Sequence, residues 1–387
     1  MKHIILLIIL LFTGCNIQTD TEENNAAEQV EMPTQEVALE VASDEVININ
    51  ISSFIPADTN FAKAYLKAIS DFQMQYPNVN IEHHYNNTPT FLTGIQLSFA
   101  TDSEPDIVFL PDSMVMNYLD IGKFANIDEV WQTYPFENIP AEVISQKNGM
   151  LYGIPINGYY TALYYNKDLL DKVNLSEPTT YDNFLRIIET FEGTSIVPIA
   201  VSLEENLQKV YEHLLISVGG ENILNQNSTE QLSMWTRANN LFIDLYERGA
   251  FSTEIQTQQT EIENFLAGKS AMLIAGSFIE DLDVSLYKVP FPYQVGTNTQ
   301  YIITFDTGLY ITKKGNDNDL IKDSIVEFIE FMTANLQVYS DITPQSIMSG
   351  RYVISPFYNM EEAQRNDALN ELQRWIFNQS YKISEEE

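Results

Sequence analysis

The chain has 387 residues, beyond the size at which one hydrophobic core stops growing, so two lobes are expected. Its 54 acidic and 20 basic residues give a formal net charge of -34, which repels nucleic-acid phosphates and excludes a nucleic-acid partner. A hydrophobic content of 44%, with 21 Tyr and 21 Phe, is ample for two cores.

Lys2 precedes a nine-residue apolar run, Ile4 to Phe12. That run is too short to span a bilayer and suits the apolar segment of a signal peptide. The following Phe12-Thr13-Gly14-Cys15 resembles the lipobox of bacterial lipoproteins, although Phe12 stands where an aliphatic residue is usual. The resemblance implies a lipoprotein signal over residues 1–15 with a lipid-modified Cys15, anchored in the bilayer and facing the extracytoplasmic side of the cell membrane. An ordinary cleaved signal with an incidental cysteine is the alternative. Cys15 is the one cysteine, so no disulfide is expected.

Residues 16–44 carry eight acidic residues and no Lys or Arg, which predicts a disordered acidic tether. As a flexible coil it would reach about 30 Å. Val46 to Phe54 reads as a strand, followed by a helix capped by Asp58 or Thr59 and closed by Pro77. A strand over Val79 to His84, a helix over Thr90 to Ala100 and a strand over Asp106 to Leu110 continue the alternation. Further strands are read at Ile154–Ile156, Ala162–Tyr165, Ile196–Val201 and Ile302–Ile311. Helices are read near Phe184–Phe191, Leu207–Ile216, Thr229–Arg248, Glu261–Ala267, Leu320–Thr333 and Glu361–Phe377. Strands alternating with helices predict mixed α/β sheets covered by helices on both faces.

Several segments then match in order. Tyr165-Asn166-Lys167-Asp168-Leu169-Leu170 resembles the YNKDLL signature of sugar-type extracellular solute-binding proteins of ABC transporters, the maltose-binding-protein-like family. Pro105-Asp106-Ile107, Tyr152-Gly153-Ile154-Pro155, Pro178 to Tyr181 and Phe265 to Phe278 resemble further family segments, with Tyr181 and Phe278 where Trp is usual. The resemblance implies the two-lobed, type II periplasmic-binding-protein-like fold, with a hinge of two or three crossings. Lobe 1 would comprise residues 45–157 and 292–335, and lobe 2 residues 158–291 and 336–383. The first crossing would fall near Asn157-Gly158-Tyr159, with Asn157 and Gly158 as hinge, the second between Val289 and Val295, and the third after Thr333.

Open α/β sheets bind ligands beyond the carboxyl ends of their strands. Those ends point here to Phe54, to Asp58 as ligand contact or plain cap, and to Asp112 and Ser113. Tyr159 and Tyr160 face opposite ways on a strand, and Tyr159 matches the family's contact position. Phe278 matches the position of a ring-stacking Trp, with a core aromatic as the alternative. Asp306, Thr307 and Gly308 are further candidates.

The expected partner is a small-molecule solute, a sugar, delivered to ABC permease subunits by a monomer that is not an enzyme and needs no cofactor. A polyamine or ferric iron as solute, and a surface receptor or adhesin without transport, are the alternatives. No phosphate loop, G-x-S-x-G or H-E-x-x-H motif is present in the sequence. His83 and His84 are adjacent on a strand and cannot chelate one metal together.

Overall fold

The structure is a computed structural model describing residues 46–386 except 57–58, 120, 129, 131–138, 140–142, 148–149, 220–227, 253, 256, 283, 295–297, 306, 340–341, 343 and 357–361. The expected signal with Cys15, the tether, Asp58 and Asp306 lie outside the described residues.

In β1 (Ile47–Phe54) the alternate residues Ile49 and Ile51 are buried, so one face lies on a helical layer. Helix α1 (Asn60–Gln75) supplies that layer with Tyr65, Ile69 and Phe72, and Thr59 caps it by accepting the Ala62 N–H at 3.1 Å. The alternation continues through β2 (Val79–Asn86), α2 (Pro89–Ala100), β3 (Ile107–Pro111) and α3 (Asp112–Leu119). Strand β11 (Thr307–Ile311) runs antiparallel between β3 and β5 (Met150–Pro155), and β4 (Ser145–Lys147) forms the edge, giving the order β2-β1-β3-β11-β5-β4. One core of this sheet lies under α1 and α10 (Lys322–Tyr339), the other under α2 and α3.

The second sheet has the order β12-β10-β6-β8-β7, with β9 (Tyr287–Val289) also pairing β6. Its strands are β6 (Tyr159–Tyr165), β7 (Val197–Ala200), β8 (Ser270–Gly276), β10 (Tyr301–Thr304) and β12 (Tyr352–Ile354). Strand β6 reads as almost unbroken apolar sequence because both its faces are covered. Leu163 and Tyr165 enter one core with α5 (Tyr181–Phe191) and α6 (Leu207–Gly219). Tyr160, Ala162 and Tyr164 enter the other core, with Phe265 of α8 (Gln258–Leu266). Helix α4 (Lys167–Lys172) follows β6, while α7 (Ser228–Glu247) and α11 (Glu362–Glu386) add Phe242 and Leu372 to the first of these cores. The short α9 (Lys313–Asn316) precedes α10.

Two helix-covered sheets joined by crossings make the two-lobed α/β fold that was expected. The second crossing needs a correction. The run read as one strand over Ile302–Ile311 is two strands in different sheets, with the change between Thr304 and Thr307. The second crossing is therefore not between Val289 and Val295, and β10 stays with the second sheet. Apolar content is the same on both sides of the switch, so periodicity could not reveal it. The helix read as ending near Thr333 continues to Tyr339 before the chain reaches β12 in the second sheet.

All three crossings meet at Gly158. Its N–H donates to the Ile342 carbonyl at 3.1 Å, and a Cβ there would lie 2.5 Å from both the Phe305 ring and the Thr304 carbonyl oxygen. Space, rather than an unusual torsion, requires glycine here.

Candidate functional site

Strand pairing decides where a site can form. In the first sheet β1, β2, β3 and β5 end on one edge, at Phe54, Asn86, Pro111 and Pro155, where the first crossing departs. In the second sheet β8 ends at Gly276 beyond Leu163's partner and opposite Thr161, while β10 ends at Thr304 opposite Tyr159. The crossings thus connect the carboxyl edges of both sheets, the place where such sheets bind ligands.

The second sheet brings two of the expected residues together. Tyr159 is half-buried while Tyr160 is buried, as strand alternation requires. The Tyr159 and Phe278 ring centroids are 5.6 Å apart at 73°, an edge-to-face pair. Phe278 is 38% exposed on a 3-10 helix, Ser277–Leu282. Gly276 leaves room for both rings, since a Cβ there would lie 2.2 Å from Phe278 and 2.9 Å from Tyr159. The Lys209 ammonium, in the first turn of α6, sits 5.3 Å from the Phe278 ring centroid and donates to Gln258 Oε1 at 3.1 Å. Nearby, the Ser202 N–H and the Asn206 amide donate to the buried Glu261 carboxylate at 2.7 Å each, fixing the loop after β7. Burial raises the Glu261 carboxyl, although those two bonds pull it back.

The first-sheet candidates have partners within their own lobe. Phe54 is half-buried and packs on the cluster containing Phe99, Leu110 and Tyr310. Asp112 starts α3 and accepts the hydroxyl of the buried Tyr310, while Ser113 beside it is exposed. Thr307 and Gly308 start β11 opposite Pro111 and Leu110 on the same edge.

One pair could suggest nucleophilic chemistry. Ser53 Oγ lies 2.9 Å from His83 Nε2. Ser53 is fully buried, which keeps it from any substrate, and burial together with the neighbouring His84 pushes His83 down to about 4. Among the described residues no group of three or more His, Cys, Asp or Glu could hold a metal ion. A groove of about 720 Å³ lies between β1, β2 and α2, running from Thr88 and Phe91, just beyond the carboxyl end of β2, to Glu104, Pro105 and Lys314 toward the opposite edge of the first sheet.

A comparison of the sequence with family models matches residues 58–337 to the family described as bacterial extracellular solute-binding protein. The chain belongs to that family. Among its relatives, an ABC transporter extracellular-binding protein of Pyrococcus horikoshii is 23% identical over 56% of this chain and 50% of its own length. The melibiose/raffinose/stachyose-binding protein MelE of Bacillus subtilis is 22% identical over 51% of this chain and 42% of its own. The chain thus spans about half the length, or less, of these curated relatives. A solved chitin oligosaccharide binding protein superposes with a TM-score of 0.59 at 16% identity, covering 86% of this chain and 95% of its own. A substrate-binding protein of Listeria monocytogenes in complex with cycloalternan gives 0.55 at 17% identity, covering 84% and 94%. At such identities these structures share the fold.

In this solute-binding protein the sequence left unmarked Lys209, which lies beside Phe278, and its partner Gln258. The carboxyl-end rule would have found Lys209 had it been applied to β7 as well as to the first-sheet strands. Gln258 had no such signal, because tertiary packing alone brings it to Lys209.

Proposed function

We propose that this chain captures a carbohydrate between the carboxyl edges of its two sheets and delivers it to an ABC permease without turning it over. The lobes divide at the three crossings, with Asn157 and Gly158 in the hinge. Cys15 carries the lipid that holds the protein at the extracytoplasmic face, and residues 16–44 are the tether. The lone cysteine after a short apolar run supports the anchor.

The observation that carries the ligand class is the edge-to-face pair of Tyr159 and Phe278. An aromatic face matches the apolar C–H face of a pyranose, and Asp112, Ser113 and Thr307 supply polar groups on the facing edge. Lys209 beside Phe278 repels a polyamine, which disfavours the cationic alternative. Micromolar capture needs about 8 kcal/mol net, within reach of stacking plus several hydrogen bonds between pre-formed walls. The names of the relatives point the same way.

Thermal melting in the presence of raffinose, chitin oligosaccharides, xylo-oligosaccharides and spermidine tests the reading. A solute binding only the folded form stabilises it by about 2.7 kcal/mol at a hundredfold excess over Kd, so one of the sugars is expected to raise Tm by several degrees. A shift with spermidine alone would replace the carbohydrate by a polyamine.

A further inference from the structure

Phe278 rides on a 3-10 helix of six residues, too short to fix a side chain by its own hydrogen bonds. Two other residues of that helix fasten it, and both fasten it to Tyr160. The Tyr160 N–H donates to Ser277 Oγ at 3.3 Å, and the Tyr160 hydroxyl donates to Glu280 Oε1 at 2.6 Å. Phe278 lies between these two anchors in sequence.

The second anchor is a knot. Tyr164, on the same face of β6 as Tyr160, donates to the same Glu280 oxygen at 2.7 Å, and the Lys288 ammonium from β9 joins it at 2.6 Å. Lys288 also lies over the Tyr160 ring, 5.0 Å from its centroid. Burial alone would raise the Glu280 carboxyl, but the bonds from Lys288, Tyr160 and Tyr164 outweigh it and hold the group below its ordinary value. An apolar contact could join helix to strand with less desolvation. What three donors on one oxygen add is direction, since a packed methyl group can slide and a hydrogen-bonded carboxylate cannot.

We propose that Glu280 is a positioning residue, which sets where the Phe278 ring stands against Tyr159 by locking the 3-10 helix to β6. Its purpose rests on reading Phe278 as part of the ligand wall, while its geometry rests only on the bonds above. Tyr159 and Tyr160 are consecutive in β6, so tying Glu280 to Tyr160 sets the offset between strand and helix. That offset places the two rings 5.6 Å apart. Tyr160 also packs on Tyr301 and Tyr352, at centroid distances of 5.0 and 5.6 Å, so the knot adjoins the strands that lead into and out of the crossings.

The test needs no solute, so its outcome is independent of the carbohydrate reading. Phe278→Trp is made in the full chain and labelled with 5-fluorotryptophan, and fluorine NMR then follows one new line beside those of the three native tryptophans. With Glu280 present the new line is expected to be single and narrow. Adding Glu280→Ala should move that line toward the solvent-exposed position and broaden it, leaving the native lines in place. Glu280→Gln, which keeps an acceptor oxygen, should restore it in part, and Tyr164→Phe should displace it less than Glu280→Ala. An unchanged line at residue 278 in Glu280→Ala overturns the proposal. So does collapse of every line together in all three variants, because the role would then be in folding rather than positioning.

Discussion

Phe278 and Tyr159 have their rings in mutual contact and are only partly buried, so each can be removed without opening a core. An aromatic contact contributes about 0.5–1.5 kcal/mol beyond area burial, and the buried area adds to that. Phe278→Ala and Tyr159→Ala should each weaken binding of the sugar that raises Tm by at least several-fold, with the melting temperature of the free protein nearly unchanged. Calorimetric titration measures the loss, and wild-type affinity in both variants would remove the wall from the site. The sequence made this pair legible for two reasons: strand alternation separated Tyr159 from Tyr160, and an ordered motif marked Phe278. Phe54 was less legible, because a ring at a strand end can turn toward either ligand or core, and here it packs on the core. Glu280 was one of 54 acidic residues and carried no pattern of its own. Only folding shows three donors meeting on its oxygen.

At the scale of elements, the crossings are a packed junction. A methyl group on Gly158 would meet backbone as well as side chain, which cannot be relieved by a rotamer change. Gly158→Ala should therefore cost about 1–3 kcal/mol, the usual range for overpacking. Gly94, inside α2, has nothing within 4 Å of its would-be Cβ. Gly94→Ala should stabilise by about 0.5–1 kcal/mol through helix propensity. Opposite signs for one chemical change, read from urea unfolding, would establish the junction as space-limited; equal effects would mean that the crossings are loosely packed. The helices were legible from caps and spacing, as in α5, where Thr180 caps and Phe184, Ile187, Ile188 and Phe191 repeat on one face. The switch of sheet after Thr304 was not, because long-range pairing, not local pattern, assigns β10 and β11 to different partners. Strands β4, β9 and β12, of three residues each, are too short to show a period.

For the whole molecule, two histidines set the response to acid. His213 is buried in α6 and stacked on Phe291, and burial lowers it from 6.5 to about 3. His83 is lowered from 6.5 to about 4. Both are neutral in the folded protein at pH 6, whereas the unfolded chain begins to protonate them near 6.5. The unfolded form then binds more protons, so stability falls as pH drops through 6.5 toward 4, by up to about 1.4 kcal/mol per pH unit for each histidine. Glu261 opposes this trend, since its raised carboxyl binds a proton earlier in the fold than in the unfolded chain. The large negative charge opposes it too, as protonating carboxylates relieves self-repulsion. Both counter-effects are shared by wild type and any histidine variant, so comparing the two from pH 7 to 5.5 isolates the histidine. Urea unfolding across that range should show stability declining with acidity. In His213→Gln the decline should be shallower by up to about 1.4 kcal/mol per pH unit, whatever the variant's absolute stability. The slope is the deciding quantity, because a Gln in that core has its own packing cost at every pH, while only a titrating group changes how stability varies with pH. Parallel curves for wild type and variant would mean that His213 takes up its proton alike in the folded and unfolded chains, and a steeper decline in the variant would mean that it is held protonated in the fold, stacked on Phe291 as a cation.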